Sequence, residues 1–380
     1  MNQQLNRETA EGLLRSRQLE SMTIMDMVDD IMDDVKMTEF VPDSVCQIDP
    51  RTGELVVYNS SRAKRIHTTT SQEQKTTSEE VFCPICSGQS TGIIDLTPQS
   101  EGFTFINKNL FPILHPMEHL LEDAVSTPLY ADPLHHGRTS YGFHFLQWTS
   151  SLHERDWHNI SHEDALICME RLACMEKQLL YQAKGFMPPT SSSNSGQPTY
   201  GYVSIIKNYG HEAGASLTHG HQQIAHSNIM PQRYFNNLGF LSRNNRTFAE
   251  YMLKENPAKL MIHDYGAAVL LVPYFMRRPY NMLLIMKDFH KQYLHELNLE
   301  EKTALTRGLQ DSIKALMTIM PQLGKQPAYN LNINNGPGAG LYVEILAATQ
   351  ITGGFEQIGL WVCQASPYDI VKTIREVLKY

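Results

Sequence analysis

Two long apolar-striped segments, each opened by a helix-capping residue and each led by a histidine eight positions upstream, do most to narrow what this chain can fold into. In the first, Ser161 with Asp164 has the form of a capping box, and Ala165, Cys168, Leu172, Met175 and Leu179 follow at helical spacing. In the second, Asn298 with Glu301 opens a helix whose face carries Leu305, Leu309, Ile313, Leu316 and Met320. His153 stands eight residues before Ser161, and His290 eight before Asn298. Each histidine follows a strand-like run. Each helix is followed by a tyrosine-led strand ending in asparagine (Tyr200 to Asn208, then Tyr329 to Asn334 and Asn335), a glycine-rich turn and another strand. Two copies of one strand, helix and hairpin unit would account for this order.

The remaining chain reads around that repeat. Residues 1 to about 40 are helical and acidic, an extension that packs on the body through an apolar stripe. Asp49-Pro50-Arg51-Thr52-Gly53-Glu54 is a turn before a short strand, Leu55 to Tyr58. Residues 67 to 80, rich in Thr, Ser, Gln and Glu, read as an exposed loop, and Pro188 to Pro198 as a linker. Strands are expected at Tyr202 to Ile206, Ser216 to Ala225, Ala268 to Val272, Met282 to Met286 and Ala328 to Ile333.

Composition excludes several functions. With 42% apolar and 19% charged residues, the 380-residue chain is an ordinary globular one, long enough for two domains or one two-part domain. A formal charge of −8 argues against wrapping a nucleic acid backbone, while a local Arg or Lys cluster could still take a small phosphorylated substrate. Met1 to Gln18 is too polar for a signal peptide, and the apolar run Ala267 to Phe275 is far short of the ~20 residues that span a bilayer. The six cysteines do not form a disulfide scaffold, which fits a reducing, cytoplasmic location.

Chemistry concentrates at two motifs. Cys83-Pro84-Ile85-Cys86, followed by Ser87-Gly88, has the form of a zinc knuckle. A redox pair would need a helix after the first cysteine, and Gly88, Thr91 and Gly92 are poor helix sequence. A surface pair without metal is the remaining reading. A tetrahedral ion would need two more ligands, which sixteen histidines could supply. The second motif is Ser216-Leu217-Thr218-His219-Gly220-His221-Gln222-Gln223. In a strand, His219, His221 and Gln223 would share one face, costly to bury without a task. A solvated strand or a plain metal site is the bland alternative. Gly210, Gly214 and Gly220 favour close approach of a phosphate to backbone amides. A free imidazole is a competent phosphorus nucleophile near neutral pH, and Gln223 and Ser216 could hold a non-bridging oxygen.

Taken in order, these segments resemble the galactose-1-phosphate uridylyltransferases of the histidine-triad superfamily. The similarity also runs through Arg62-Ala63-Lys64-Arg65, Asn107-Lys108 with Phe111-Pro112, Lys207-Asn208 and Gly354-Phe355-Glu356, over about residues 45 to 375. The resemblance implies an α+β fold whose two histidine-triad-like halves form one extended antiparallel sheet with packed helices: an extension over 1–44, a catalytic half over 45–235 and a half without nucleophile over 236–380. It implies one Zn(2+) per chain on Cys83, Cys86, His153 and His219, and His221 as the residue that becomes nucleotidylated, with Gln223 and Ser216 holding the phosphoryl group. Arg62, Arg65, Asn107 and Asn208 would approach the nucleotide, and Phe355 and Glu356 the sugar, in a partner subunit's site. Ping-pong exchange between a nucleotide-sugar and a sugar 1-phosphate, by a homodimer, follows; UDP-glucose:hexose-1-phosphate uridylyl transfer is the family's reaction. No nucleic acid or membrane partner is expected.

The chain departs from that pattern. The usual His-Pro-His is His219-Gly220-His221. Where many bacterial members place a second-half His-x-His for another metal, Gly340 and Tyr342 stand, so no second metal is expected; Gln350 replaces a lysine near the sugar. Two other functions stay compatible: a phosphorylase or hydrolase acting on a dinucleoside polyphosphate or ADP-sugar, and a zinc-stabilised binding protein without turnover.

Overall fold

The computed structural model describes residues 5–14, 18–64, 83–117, 138–193 and 195–380. The sheet that organises them has ten strands: β1 (Ile93–Pro98), β2 (Phe103–Lys108), β3 (Gly142–Trp148), β4 (Tyr202–Tyr209), β5 (His221–Ser227), β6 (Met261–Asp264), β7 (Ala268–Leu271), β8 (Met282–Met286), β9 (Tyr329–Asn334) and β10 (Tyr342–Ala347). Their order is β6-β7-β8-β10-β9-β4-β5-β3-β2-β1, every pairing antiparallel. Read outward from the central β4–β9 pair, the two halves have the same sequence of strands. The long helices take the same place in each: α3 (His162–Gln182) joins β3 to β4, and α6 (Leu299–Gln322) joins β8 to β9. The repeated pattern is thus present as repeated topology.

The caps set the helix starts. Asn298 accepts from the Glu301 amide and Glu301 returns the bond, a complete box. At α3 only half of it forms: Ser161 accepts from the Asp164 amide, but the Asp164 carboxylate accepts from the backbone N–H and hydroxyl of Ser100 instead. Asp164 therefore ties the helix to the β1–β2 turn.

Alternation along the strands gives the sheet two distinct faces. One carries Phe143, Phe145, Ile205, Ile224, Leu284, Leu331, Val343 and Ile345 into a core shared with α3 and α6. The acidic N-terminal segment joins that core: Met27, Val28 and Ile31 of α2 (Ile24–Met32) are buried in it, and Asp34 pairs at 2.8 Å with the fully buried Lys108. The C-terminal α8 (Pro367–Leu378) adds Ile370, Val371 and Ile374. The opposite face carries His144, Leu146, Trp148, His221 and Gln223 in one half, aligned by the pairs His221↔Trp148 and Gln223↔Leu146. In the other half it carries Tyr342, Glu344 and Leu346, aligned through Asn334, Asn332 and Asn330. α1 (Arg7–Leu13) covers part of this face in the first half. In the second, α4 (Gln232–Asn244) follows β5, and α5 (Phe248–Glu255) packs Ala249 and Met252 on Tyr342.

Two expectations are corrected. The Pro188–Pro198 linker is a hairpin of Pro189–Ser192 with Pro198–Tyr200. The strand expected from Ser216 begins only at His221, because residues 216–220 form an irregular turn. The turn at 50–52 and the strand Leu55–Tyr58 are present. Residues 67–80 lie outside the described residues. Among those described, no helix is long and apolar enough to cross a membrane.

Candidate active site and metal centre

The start of β5 brings the two motifs together. After Cys83 the chain forms a turn, not a helix: Ser87 N–H donates to the Cys83 carbonyl at 3.1 Å and Gly88 N–H to that of Ile85 at 2.9 Å. Gly88, at φ +78°, closes the turn in the left-handed region. Both thiols face the loop after β3, which supplies His153, and the turn before β5, which supplies His219. Cys86 Sγ lies 3.4 Å from His153 Nδ1 and 3.5 Å from His219 Nδ1; Cys83 Sγ lies 3.7 Å from His219 Nδ1. All four ligand atoms fall within 4.8 Å of one another.

These distances fit zinc. Ligand atoms ~2.0–2.3 Å from a tetrahedral zinc stand about 3.3–3.8 Å apart. The far nitrogens are also engaged as metal-ligating histidines require: His219 Nε2 meets the Ser150 carbonyl at 2.8 Å and His153 Nε2 the Thr218 hydroxyl at 3.2 Å, leaving each Nδ1 as the lone-pair atom. Burial, then the neighbouring Cys83, pushes the Cys86 thiol up to about 12, so taking up a cation would release a proton. The turn that displaces His219 from the strand is what lets it reach the cysteines.

His221, the first residue of β5, has a different environment. Its Nδ1–H donates to the His219 carbonyl at 2.8 Å, which leaves Nε2 without a proton. The ring is buried and tilts at 38° against Trp148, with centroids 4.8 Å apart. Burial above all pulls this imidazole down to about 4, so it is neutral around pH 7. Gln223 lies two residues on, on the same face. Its Oε1 accepts from His144 Nε2 at 3.1 Å, while His144 Nδ1 accepts from the Ile113 amide at 3.0 Å. The Ile113 bond favours the Nε2–H tautomer of His144, whose ring nitrogens also lie 3.2 and 3.4 Å from the Asn109 amide nitrogen, and the bond from His144 orients Gln223 through its Oε1. Ser216 is buried in the turn ahead of His219.

Behind this turn lies a buried ion pair that sequence reasoning did not find. Asp156 Oδ2 meets Lys207 Nζ at 2.9 Å, the two side chains 5% and 1% exposed. Lys207 also donates to the His221 carbonyl at 3.2 Å, and the Thr149 hydroxyl and Trp157 amide donate to Asp156. Burial, the largest influence, opposes ionisation of Asp156, yet Lys207 and these donors together hold its carboxyl below the usual range. A Cβ on Gly220 would lie 2.5 Å from Asp156 Cγ, so the carboxylate occupies the space a larger residue would need. This accounts for glycine where the resembled family has proline. A lone Asp near His153 carries no sequence signal of such a role.

The other expected residues are distributed unevenly. Asn107 is on the site face, but its amide donates to Ser90 and Thr91 and its carbonyl accepts from Trp148 Nε1, so it supports Trp148 under His221. Asn208 is on that face too, its carbonyl accepting from Asn330. Arg62 donates to the Phe111 carbonyl at 3.1 Å. Arg65 lies outside the described residues. Phe355 is exposed on the short α7 (Gly354–Gln357), where the Glu356 carboxylate accepts from the Gly353 and Val362 amides.

With this geometry in place, likeness to known proteins is informative. The fold is that of solved uridylyltransferases, in divergent form. A solved uridylyltransferase superposes with a TM-score of 0.66 at 18% identity, over 88% of this chain and 98% of that one. An ADP-glucose phosphorylase from Arabidopsis thaliana, solved with bound ADP-glucose, superposes at 0.60 with 20% identity, over 87% and 98%. In sequence, an Arabidopsis thaliana ADP-glucose phosphorylase is 23% identical over 348 residues, 87% of this chain and 92% of the relative. No family model matches the chain.

Proposed function

We propose that this protein transfers a nucleoside monophosphate by a two-step exchange through His221. The observation that carries the reading is the Nδ1–H bond from His221 to the His219 carbonyl, which presents Nε2 as a bare, buried nucleophile beside a cysteine–histidine set that fits zinc. In the first step Nε2 attacks the α-phosphorus of a nucleoside diphosphate sugar. A P–N bond forms, the bond to the bridging oxygen breaks, and a sugar 1-phosphate leaves with the electron pair. In the second, a phosphate oxygen of the acceptor attacks the same phosphorus and the P–N bond breaks. The Gln223 NH2 is placed to bond a non-bridging oxygen as charge develops. Cys83, Cys86, His153 and His219 would hold a zinc ion, which would fix the turn that positions His221. Residues 45–235 and 236–380 are read as two histidine-triad-like halves with 1–44 as an extension, a reading supported by the mirrored strand order.

For the acceptor, exchange between UDP-glucose and a hexose 1-phosphate is the first reading, supported by likeness to the uridylyltransferase fold. Phosphorolysis of ADP-glucose is the second, favoured by the curated sequence relative. The test is intact-mass measurement after mixing with ADP-glucose or UDP-glucose. The added mass names the nucleotide, and chasing the adduct with hexose 1-phosphate, inorganic phosphate or buffer names the acceptor. Absence of any adduct, or an adduct that persists in His221→Gly, would overturn the proposal. Assembly as a homodimer belongs to the same reading and is checked by light scattering.

A further inference from the structure

We infer that the second half of the sheet carries its own binding site, for a nucleoside phosphate, in the cavity over Tyr342 walled by Arg233, Arg243, Arg277, Arg278 and Trp361. The cavity has a volume of about 280 Å³, near the lower end of small-molecule sites. Its place in the fold is the counterpart of the His221 site. β10 stands in the second half where β5 stands in the first, each between the strand before the long helix and the strand after it. Tyr342 opens β10 as His221 opens β5, and Glu344 falls two residues on, as Gln223 does. Register across β9 puts Tyr342 and Glu344 on the same face of the sheet as His221 and Gln223.

The chemistry of the counterpart has changed completely. Gly340, at the place of His219, has φ +67°, and a Cβ there would lie 2.6 Å from the Thr247 hydroxyl oxygen. The Tyr342 hydroxyl donates to Asn237 at 3.2 Å. Gly340 has no side chain to react and the Tyr342 hydroxyl is engaged with Asn237, so the site is read as one that binds.

What surrounds it is cationic and aromatic. Four guanidiniums line the cavity together with the Glu344 carboxylate. Glu344 is engaged with Arg233 at 3.3 Å and acts also on Arg277, while Glu356 interacts with Arg278. Four arginines converging against two carboxylates, Glu344 and Glu356, leave an excess of positive charge here in a chain of net charge −8, and an anion between them would offset it. Burial, and after it Arg233, pulls Arg277 below the usual arginine value, the direction expected of such crowding. The cavity is also lined by Phe240, Phe248 and Phe275, and by Trp361, whose ring lies 5.1 Å from the Arg277 guanidinium carbon and 5.6 Å from that of Arg278. Guanidiniums take the phosphates and aromatic walls take a flat ring; a nucleoside phosphate carries both.

The test is titration calorimetry with ADP and, separately, UDP. Wild-type protein should bind one of them in a class of sites that Arg277→Gln/Arg278→Gln weakens about tenfold or more. Adenosine or uridine, without charge, and pyrophosphate, without a ring, should each bind far more weakly. His221→Gly, which removes the proposed nucleophile, should leave this class intact, and the arginine variant should still form the His221 adduct. Failure here is therefore distinct from failure of the transfer reaction. Should the double variant not fold, Arg243→Gln, on the exposed side of α4, gives the same reading. Photolabelling with 8-azido-ADP should mark peptides spanning 273–282 or containing Trp361. Equal nucleotide binding by wild type and arginine variants, or label confined to the His221 turn, would overturn the inference; pyrophosphate binding as tightly as the nucleotide would overturn its assignment to a nucleoside.

Discussion

Gly220 offers the most direct test of how the His219–His221 turn is held. Replacing it with alanine would place a methyl carbon 2.5 Å from Asp156 Cγ and 2.7 and 2.8 Å from the carboxylate oxygens. Ordinary contact requires about 1 Å more. The carboxylate cannot retreat freely, because Lys207, the Thr149 hydroxyl and the Trp157 amide hold it at 2.8 to 2.9 Å. Overpacking of this kind costs ~1–3 kcal/mol, and loosening a buried ion pair adds part of the ~3–5 kcal/mol that breaking one costs. A total of ~3 kcal/mol is expected. With an unfolding entropy of ~2.1 cal/mol/K per residue, this corresponds to a fall in Tm of about 4 °C. Calorimetry of wild type, Gly220→Ala, Asp156→Ala and the double variant checks the origin of the loss. With the carboxylate removed, the added methyl has nothing to strike, so its cost should fall below ~1 kcal/mol. If Gly220→Ala costs the same in both backgrounds, or nothing in either, the proposed packing of Asp156 beneath the turn is wrong.

Other expectations follow from the same geometry. Metal analysis should find one zinc per chain; Cys83→Ser or His219→Ala should lose it together with thermal stability, whereas His221→Gly should keep both and lose the covalent adduct. His144→Phe, which removes the donor that orients Gln223, should lower kcat about 10–100-fold with little change in zinc content or KM; an unchanged kcat would remove His144 from the machinery. Asp34→Asn should destabilise the protein in denaturant unfolding, because it replaces with a neutral group the carboxylate that pairs at 2.8 Å with the fully buried Lys108 ammonium.

The sequence made the architecture legible where local chemistry repeats. Asn298 with Glu301, and the helical spacing behind each cap, are short-range signals, and they placed the starts of α3 and α6. Cys83 and Cys86 were legible because a turn of that composition has few uses. His219 and His221 were legible as a pair from the residues, but strand periodicity alone would have put both on one face, and their separate roles came only from the family resemblance. The turn that separates them depends on Asp156 and Lys207, fifty-one residues apart in sequence, and a contact at that separation leaves no periodicity to detect. The half-formed cap at Ser161 is similar. Ser100, on another element, takes the Asp164 carboxylate that the local rule assigns to the helix.

The two strands that flank the central β4–β9 pair show why one half would do chemistry and the other would not. Both present a residue opening a strand on the same face, and both bury it. At His221, the residue two places earlier is drawn out of the strand toward the cysteines, and its carbonyl accepts from Nδ1–H, so one turn would both complete a metal set and prepare the proposed nucleophile. At Tyr342, the residue two places earlier is a glycine in a left-handed conformation against Thr247, with no room for a side chain that could hold a metal. Without a metal to fix that turn, a histidine at 342 would gain no matched partner for its ring. Placing histidine at 342 alone should therefore create no second nucleotidylation site. Intact mass after nucleotide-sugar treatment reads this directly: Tyr342→His should add one nucleotide per chain, as wild type should, and none in the His221→Gly background. A second adduct would show that burial at a strand start suffices, and that the metal-bound turn is not what prepares His221.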